Sequence, residues 1–298
     1  MIRRFKEYVT GCLSASLLII NTLLLSVPLL CFSLLKLIVP LKGFRRLMGR
    51  MAHFMAELWI SINSLWMRAL TGTHLNISGL NDLNPNGYYL ITSNHQSWAD
   101  ILLMQQLLNR KIPLMKFFLK QELIFVPVIG LCWWALDFPF MKRYSKAYLE
   151  KHPEKRGKDL ENTLNACEKF KTMPVSIVNY LEGTRFTEAK HKKQSSPFKH
   201  LLKPRAGGIS YVIGALGEQV RTLLNITIVY HQKGQLGFWD FLCGRIKSVS
   251  IHVDKRTIPK SFIGRSYQQD AEFRNDFQAW VNDLWEEKDQ LMQQMGQP

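Results

Sequence analysis

The chain has 298 residues, 47% hydrophobic and 21% charged, with 39 Lys and Arg against 23 Asp and Glu, giving a formal net charge of +16. That length holds one large catalytic domain plus an appendage, and the basic excess points to an anionic partner such as nucleic acid, an acidic membrane face or a phosphorylated substrate. Cys12, Cys31, Cys132, Cys167 and Cys243 are odd in number, widely spaced and free of any Cys-x-x-Cys pair, so neither a disulfide framework nor a zinc site is suggested, and a reduced compartment is consistent.

Residues 8–35 carry no charge and are rich in Leu and Ile. A hydrocarbon core needs about 20 such residues for a spanning helix, which predicts a membrane anchor here. A cleaved signal peptide has an apolar stretch of roughly 7–15 residues and then a small-x-small site. Here Leu, Val and Pro continue to Pro40, so the segment reads as retained. Arg3, Arg4 and Lys6 precede it, and Lys36, Lys42, Arg45, Arg46 and Arg50 follow. The heavier cluster after the segment places the rest of the chain in the cytoplasm. Pro28 leaves open a bent helix or a hairpin that returns to the same face. Residues 53–70, with Trp59 and Trp66 beside Glu57 and Arg68, suit an interfacial helix better than a span. The expected division is an anchoring region over 1–72 and an α/β domain over 73–298.

Residues 88–92 read as a strand and lead into Asn94-His95-Gln96-Ser97-Trp98-Ala99-Asp100. A helix opening near Ser97, with Ser97 as N-cap, puts Asp100 in its first turn. Helical side chains lean toward the N-terminus, which aims the carboxylate at His95. A His held by an Asp is the general-base half of a catalytic triad, although a His and an Asp five apart are more often a solvated loop and a helix cap.

Residues 123–136 are apolar but short and broken by Pro127, and read as core, with a tunnel lining as the other use. Residues 159–170 place Leu160, Leu164, Cys167 and Phe170 at helical spacing. The strand predicted at 175–181 ends in Glu182-Gly183-Thr184-Arg185, and 190–196 reads as a surface loop. Strands at 223–230 and 248–253 and a helix at 272–292 follow. Alternating strands and helices indicate an α/β fold, a mixed sheet flanked by helices, whose functional loops gather beyond strand C-termini. Both polar motifs fall there. No Gly-x-Ser-x-Gly elbow or His-Glu-x-x-His helix is present, so no protein nucleophile or metal is expected. His53, His74, His152, His191, His200, His231 and His252 lack comparable partners and read as structural or surface residues.

Asn94-His95 through Asp100, with Glu182 through Arg185 some ninety residues on, resembles the glycerolipid acyltransferase superfamily, whose members carry a His-x-x-x-x-Asp block and a downstream Glu-Gly-Thr-Arg block. The runs Phe118-Leu119-Lys120-Gln121-Glu122-Leu123, Phe140-Met141-Lys142-Arg143-Tyr144 and Glu182-Gly183-Thr184-Arg185-Phe186-Thr187 are similar to the PlsC-like 1-acylglycerol-3-phosphate acyltransferase branch, which includes the lysocardiolipin acyltransferases and bacterial inner-membrane members. The similarity covers roughly residues 75–260. It implies acyl transfer from acyl-CoA or acyl-carrier protein to a lysophospholipid at the cytoplasmic leaflet of a bacterial inner membrane, with no cofactor. An unperturbed imidazole titrates near 6.5, so His95 suits removal of a hydroxyl proton, and Asp100 would fix its tautomer.

By the same resemblance Arg143 and Arg185 would grip the acceptor phosphate, Glu182, Gly183 and Thr184 would shape the acceptor loop, and Lys120 could serve as a further cation. Where many members have Pro before the Glu, this chain has Leu181, and 224–229 lacks the proline of the fourth block. These departures keep other acceptors open: lysocardiolipin, lysophosphatidylglycerol or glycerol 3-phosphate. A membrane lipid-binding protein without turnover is the reading from another class. The apolar anchor and the lack of a recognition motif argue against nucleic acid.

Overall fold

The structure, a computed structural model, describes residues 1–141, 150–152, 161, 164–165, 167–232, 234 and 237–296. Two long helices, α1 (Ile2–Ile38) and α2 (Lys42–Leu70), precede β1 (His74–Ser78), β2 (Tyr88–Ser93), α3 (Ala99–Leu108), β3 (Met115–Phe117), β4 (Leu119–Lys120), a 3₁₀ turn at Gln121–Phe125, α4 (Ile129–Ala135) and β5 (Phe140–Met141). Then follow β6 (Val175–Asn179), α5 (Glu188–Gln194), α6 (Gly207–Leu216), β7 (Thr222–Tyr230), α7 (Phe238–Leu242), β8 (Ser248–Thr257) and α8 (Ala271–Met295).

The main sheet has the order β1-β8-β7-β2-β6-β3, in which β7 and β8 are antiparallel and the other neighbours parallel. The sheet is therefore mixed and helices cover both faces, as the alternation predicted. β2 is central, and Leu90 and Ile91 are both fully buried, as expected for a strand covered on two sides. Ile91, Val178 and Ile226 pack toward α1 to α4; Leu90, Ile177 and Leu223 pack toward Phe273, Phe277 and Trp285 of α8. Because β2, β3, β6 and β7 run parallel, their C-terminal ends share one edge.

α1 is inverted relative to a water-soluble helix. Its buried stripe is small and polar (Gly11, Ser14, Asn21, Ser26, Ser33, with Leu29), while Leu13, Ile20, Leu23, Leu24, Val27, Leu34 and Ile38 face outward. Its length and composition would let it cross a membrane. After a three-residue turn α2 runs back along it: Asn21 Nδ2 donates to Trp59 O at 3.0 Å and to Asn63 Oδ1 at 2.8 Å, and Trp59 Nε1 donates to Thr22 Oγ1 at 3.0 Å. Trp66 Nε1 donates to Asn63 Oδ1 at 3.0 Å. The indoles expected to anchor an interfacial helix thus turn inward, Trp59 to Thr22 of α1 and Trp66 to Asn63 of α2, which Asn21 of α1 holds.

Three further expectations change. Residues 123–136 are not simply core: Gly130, Cys132 and Leu136 are buried, yet Phe125, Leu131 and Trp134 lie exposed. The surface loop at 190–196 is largely α5, because Thr187 caps it by accepting Lys190 N at 3.3 Å, and Ser195 ends it in a left-handed conformation. The helix expected at 159–170 is present at the described residues 161, 164, 165, 167 and 168, but Phe170 belongs to a 3₁₀ turn, Lys169–Thr172, and Leu160 lies outside the described residues.

Candidate active site

Asn94 fixes the loop after β2. Its side chain pairs with β7 as a backbone unit would, donating to Ile228 O at 2.8 Å and accepting from Ile228 N at 2.9 Å. The next residue, His95, is thereby held over the sheet edge. Its Nδ1 lies 2.9 Å from Asp100 Oδ2; since a carboxylate only accepts, Nδ1 carries the hydrogen and Nε2 carries the lone pair. Nε2 has no partner among the described residues, and the side chain retains 13% of its accessible surface.

Asp100 is buried and fully engaged. Besides His95 it accepts Gln96 N at 2.7 Å and Ser97 N at 2.9 Å, while its other oxygen accepts Tyr230 OH at 2.5 Å. The helix opens at Ala99, two residues after Ser97, with Asp100 in its first turn as expected, and Trp98, immediately before it, makes no side-chain cap bond. Ser97 Oγ accepts Ala99 N at 3.2 Å, the bond a capping serine makes to the N–H two residues on. Ser97 thus meets the helix start with a capping bond, and the backward reach of the carboxylate is also the one expected.

The loop after β6 supplies Glu182, buried, whose Oε1 accepts His95 N at 3.1 Å and whose Oε2 accepts Leu202 N at 3.3 Å. Glu182 is thus a brace for the His95 backbone. Burial pushes its carboxyl up to about 8 against the pull of these two N–H groups and of Lys288, the counter-charge from α8. Lys288 is itself buried, donates to Ile226 O at 2.5 Å and Thr227 Oγ1 at 3.3 Å, and is pushed down to about 7 by burial, opposed by the field of Glu182. Each group's burial favours its neutral form and each one's charge steadies the other.

Gly183 has φ +66, where a Cβ is disfavoured, and donates to Tyr180 O at 2.9 Å. The Arg205 side chain lies 3.7 Å from where a Cβ on Gly183 would be. Thr184 Oγ1 accepts Lys190 Nζ at 2.8 Å, and the same ammonium donates to Arg185 O at 2.9 Å. The exposed Arg185 guanidinium sits 5.1 Å from the Trp98 ring centre, so the two motifs meet. His95, Asp100 and Glu182 form one bonded network with Arg185 beside it. Lys120 is exposed on β4, paired with β5, and makes no bond to that network. Arg143 lies outside the described residues.

Sequence reasoning missed Tyr180, Tyr230, Arg205 and Lys288. Tyr180 stacks on His95 at 4.0 Å and 17°, and on Phe117 at 6.3 Å. Its place immediately before Leu181-Glu182 was the available signal. Tyr230 and Lys288 stand 130 and 106 residues from their partners Asp100 and Glu182, beyond any local pattern.

Residues 74–229, just over half of the chain, match the family model described as Acyltransferase. The chain belongs to the acyltransferase family. Among curated proteins, this acyltransferase is 24% identical over 268 residues to mouse (Mus musculus) 1-acyl-sn-glycerol-3-phosphate acyltransferase gamma, covering 85% of this chain and 65% of that protein. It is 25% identical over 299 residues to the human (Homo sapiens) delta enzyme, covering 94% and 70%. The matches therefore span about two thirds of the relatives' own lengths. A solved structure, the 1-acyl-sn-glycerophosphate (LPA) acyltransferase PlsC from Thermotoga maritima, is similar at a TM-score of 0.48 and 15% identity, over 90% of this acyltransferase and 97% of that chain.

Proposed function

We propose that this acyltransferase moves a fatty acyl group from an acyl-CoA or acyl-carrier-protein thioester to a lysophospholipid, with 1-acyl-sn-glycerol 3-phosphate as acceptor and phosphatidic acid as product. The observation that carries this reading is the His95 Nδ1 to Asp100 contact, which leaves Nε2 without a partner among the described residues. The lipid hydroxyl oxygen attacks the thioester carbonyl carbon as its proton passes to Nε2. Asp100 stabilises the imidazolium so formed. The C–S bond then breaks, the imidazolium proton goes to the departing sulfur, and an ester and a free thiol result. No covalent acyl-enzyme is needed. Arg185 is exposed, has no carboxylate partner among the described residues, and presents the fork that suits phosphate.

The outward apolar stripe of α1 supports residence at a membrane, where small and polar residues pack inward and apolar ones meet lipid. Two ion pairs favour a helix lying along one leaflet over one crossing the bilayer: Arg245 Nε to Glu7 at 3.0 Å near one end and Lys36 to Asp137 at 3.4 Å near the other. Residues 7 and 36 are about 44 Å apart along a helix axis, yet both bind the catalytic domain. The cations flanking α1 on both sides fit a cytoplasmic face, here that of a bacterial inner membrane.

Labelled acyl-CoA offered with a panel of lysolipids tests the acceptor; preferential acylation of 1-acylglycerol 3-phosphate is expected. Equal transfer to every acceptor, or to water alone, would defeat the assignment. Arg185→Ala is expected to raise the acceptor KM by about tenfold or more while the donor KM changes little, since it removes a phosphate contact remote from the thioester. Steady-state kinetics with each substrate varied in turn check this.

A further inference from the structure

We propose that residues 123–134 form an apolar finger that enters the acyl-chain region of the leaflet on which α1 lies, making the lip over which a lysolipid passes toward His95. Phe125 is 83% exposed, Leu131 53% and Trp134 50%, and all three project from one short stretch. The stretch is held in shape. Val128, a β-branched residue, has φ +65, and a Cβ on Gly130 would lie 2.3 Å from Ile124 O. Gly130 N donates to Val126 O at 3.0 Å and Ile129 N to Pro127 O at 2.7 Å. Gly130 and Cys132 of α4 and the adjoining Leu136 face inward, so α4 is seated in the core by one face while the other presents Leu131 and Trp134. A backbone strained to expose large apolar groups marks a functional surface.

The occupant follows from what adjoins the finger. α4 packs on α1, and Asp137, just beyond α4, pairs with Lys36, so the exposed Phe125, Leu131 and Trp134 stand next to the helix that exposes Val27, Leu34 and Ile38. Lys120 precedes the finger and Lys169 pairs with Asp137 behind it at 3.0 Å, which gives an apolar tip and a cationic rim suited to acyl chains below phosphates. The finger follows the C-terminal end of β3, the edge that also carries His95 and Glu182. Phe117 of β3 stacks on Tyr180, which stacks on His95. The inference rests on the membrane reading of α1.

The test uses the full chain with Cys12 and Cys31 replaced by Ala, Phe125→Cys labelled with bimane, and vesicles of phosphatidylcholine and phosphatidylglycerol. Chain-brominated phosphatidylcholine is expected to quench the label and aqueous iodide to leave it bright. The combined variant Phe125→Ser, Leu131→Ser, Trp134→Ser is expected to lose about tenfold or more in kcat/KM on a long-chain lysolipid embedded in vesicles, and far less on a short-chain acceptor dissolved in water. Quenching by iodide but not by brominated chains, or equal losses on both acceptors, overturns the proposal. Failure of the parent protein to float with vesicles removes the membrane reading of α1 and the finger with it. A parent that turns over neither acceptor while bromine still quenches refutes the acyl-transfer reading and leaves the finger standing.

Discussion

His95→Ala is expected to lower kcat for acyl transfer by about 10²- to 10⁴-fold, the range that a positioned general base contributes. The loss is chemical rather than structural. The imidazole keeps part of its surface open and makes one hydrogen bond and one stacking contact, whereas the His95 backbone is held separately by Glu182 and by Phe186 N, which donates to His95 O at 2.7 Å. Asp100 retains Gln96, Ser97 and Tyr230 as donors in the variant, so no carboxylate oxygen is orphaned. Circular dichroism and vesicle flotation should therefore match the parent protein while turnover of labelled acyl-CoA disappears. Near-parental turnover would reject the base assignment outright.

Lys288→Met is expected to destabilise the fold by about 1–3 kcal/mol, the cost of leaving the buried acceptors Ile226 O and Thr227 Oγ1 without their donor and Glu182 without the nearby ammonium. Both Lys288 and Glu182 are buried, and the substitution keeps the bulk of the side chain while removing its charge. Adding Glu182→Gln to the variant removes the stranded carboxylate, and the part of the loss that comes from it should be recovered; chemical denaturation of the two single variants and the double variant measures the coupling. The penalty also depends on pH. A carboxyl raised in the folded state holds its proton more tightly there than in the unfolded chain, so its unfavourable contribution is absent below the ordinary carboxylate range and complete above its folded value. For Glu182, pushed up to about 8 and further when Lys288 is lost, the deficit of Lys288→Met should shrink as pH falls from 8 toward 5. In the parent, Lys288 has a folded value lowered to about 7, so its charge in the core is a cost at low pH, which narrows the gap in the same direction. A deficit that is independent of pH and of Glu182 would mean that Lys288 acts only through its hydrogen bonds to Ile226 and Thr227.

The relation of His95 to Asp100 was legible because five residues of local backbone suffice to fix it: a strand end, a turn and the first turn of a helix. The strands at β2, β6, β7 and β8 were legible as apolar runs closed by polar residues. β1 was not, since His74-Leu75-Asn76-Ile77-Ser78 is short and mostly exposed and becomes a strand only by pairing with β8. Register across the sheet was equally out of reach, and with it the meeting of Tyr230 with Asp100. Residues 123–136 depart from the expected core for a different reason. Apolar sequence signals removal from water, for which burial in protein is the ordinary destination, whereas Leu131 and Trp134 stay exposed. α1 carried the corrective signal in plain view: Gly11, Ser14, Asn21 and Ser33 recur on one helical face amid Leu and Ile, which fits a helix whose wet-looking side is its inside.

α8 lies beyond the segment that matches the family, yet it braces the loops of the site from below: Trp285 Nε1 donates to Leu202 O at 3.1 Å, and Asp289 accepts the backbone of Lys199 and His200 at 2.8 and 2.7 Å. On the ribosome, α1 and α2 leave the exit tunnel well before residue 288 does. Nascent chains should accordingly settle on their target surface while Glu182 still lacks its cation, and catalytic competence should switch on only as translation of α8 finishes. Docking of the N-terminal helices would precede assembly of the site.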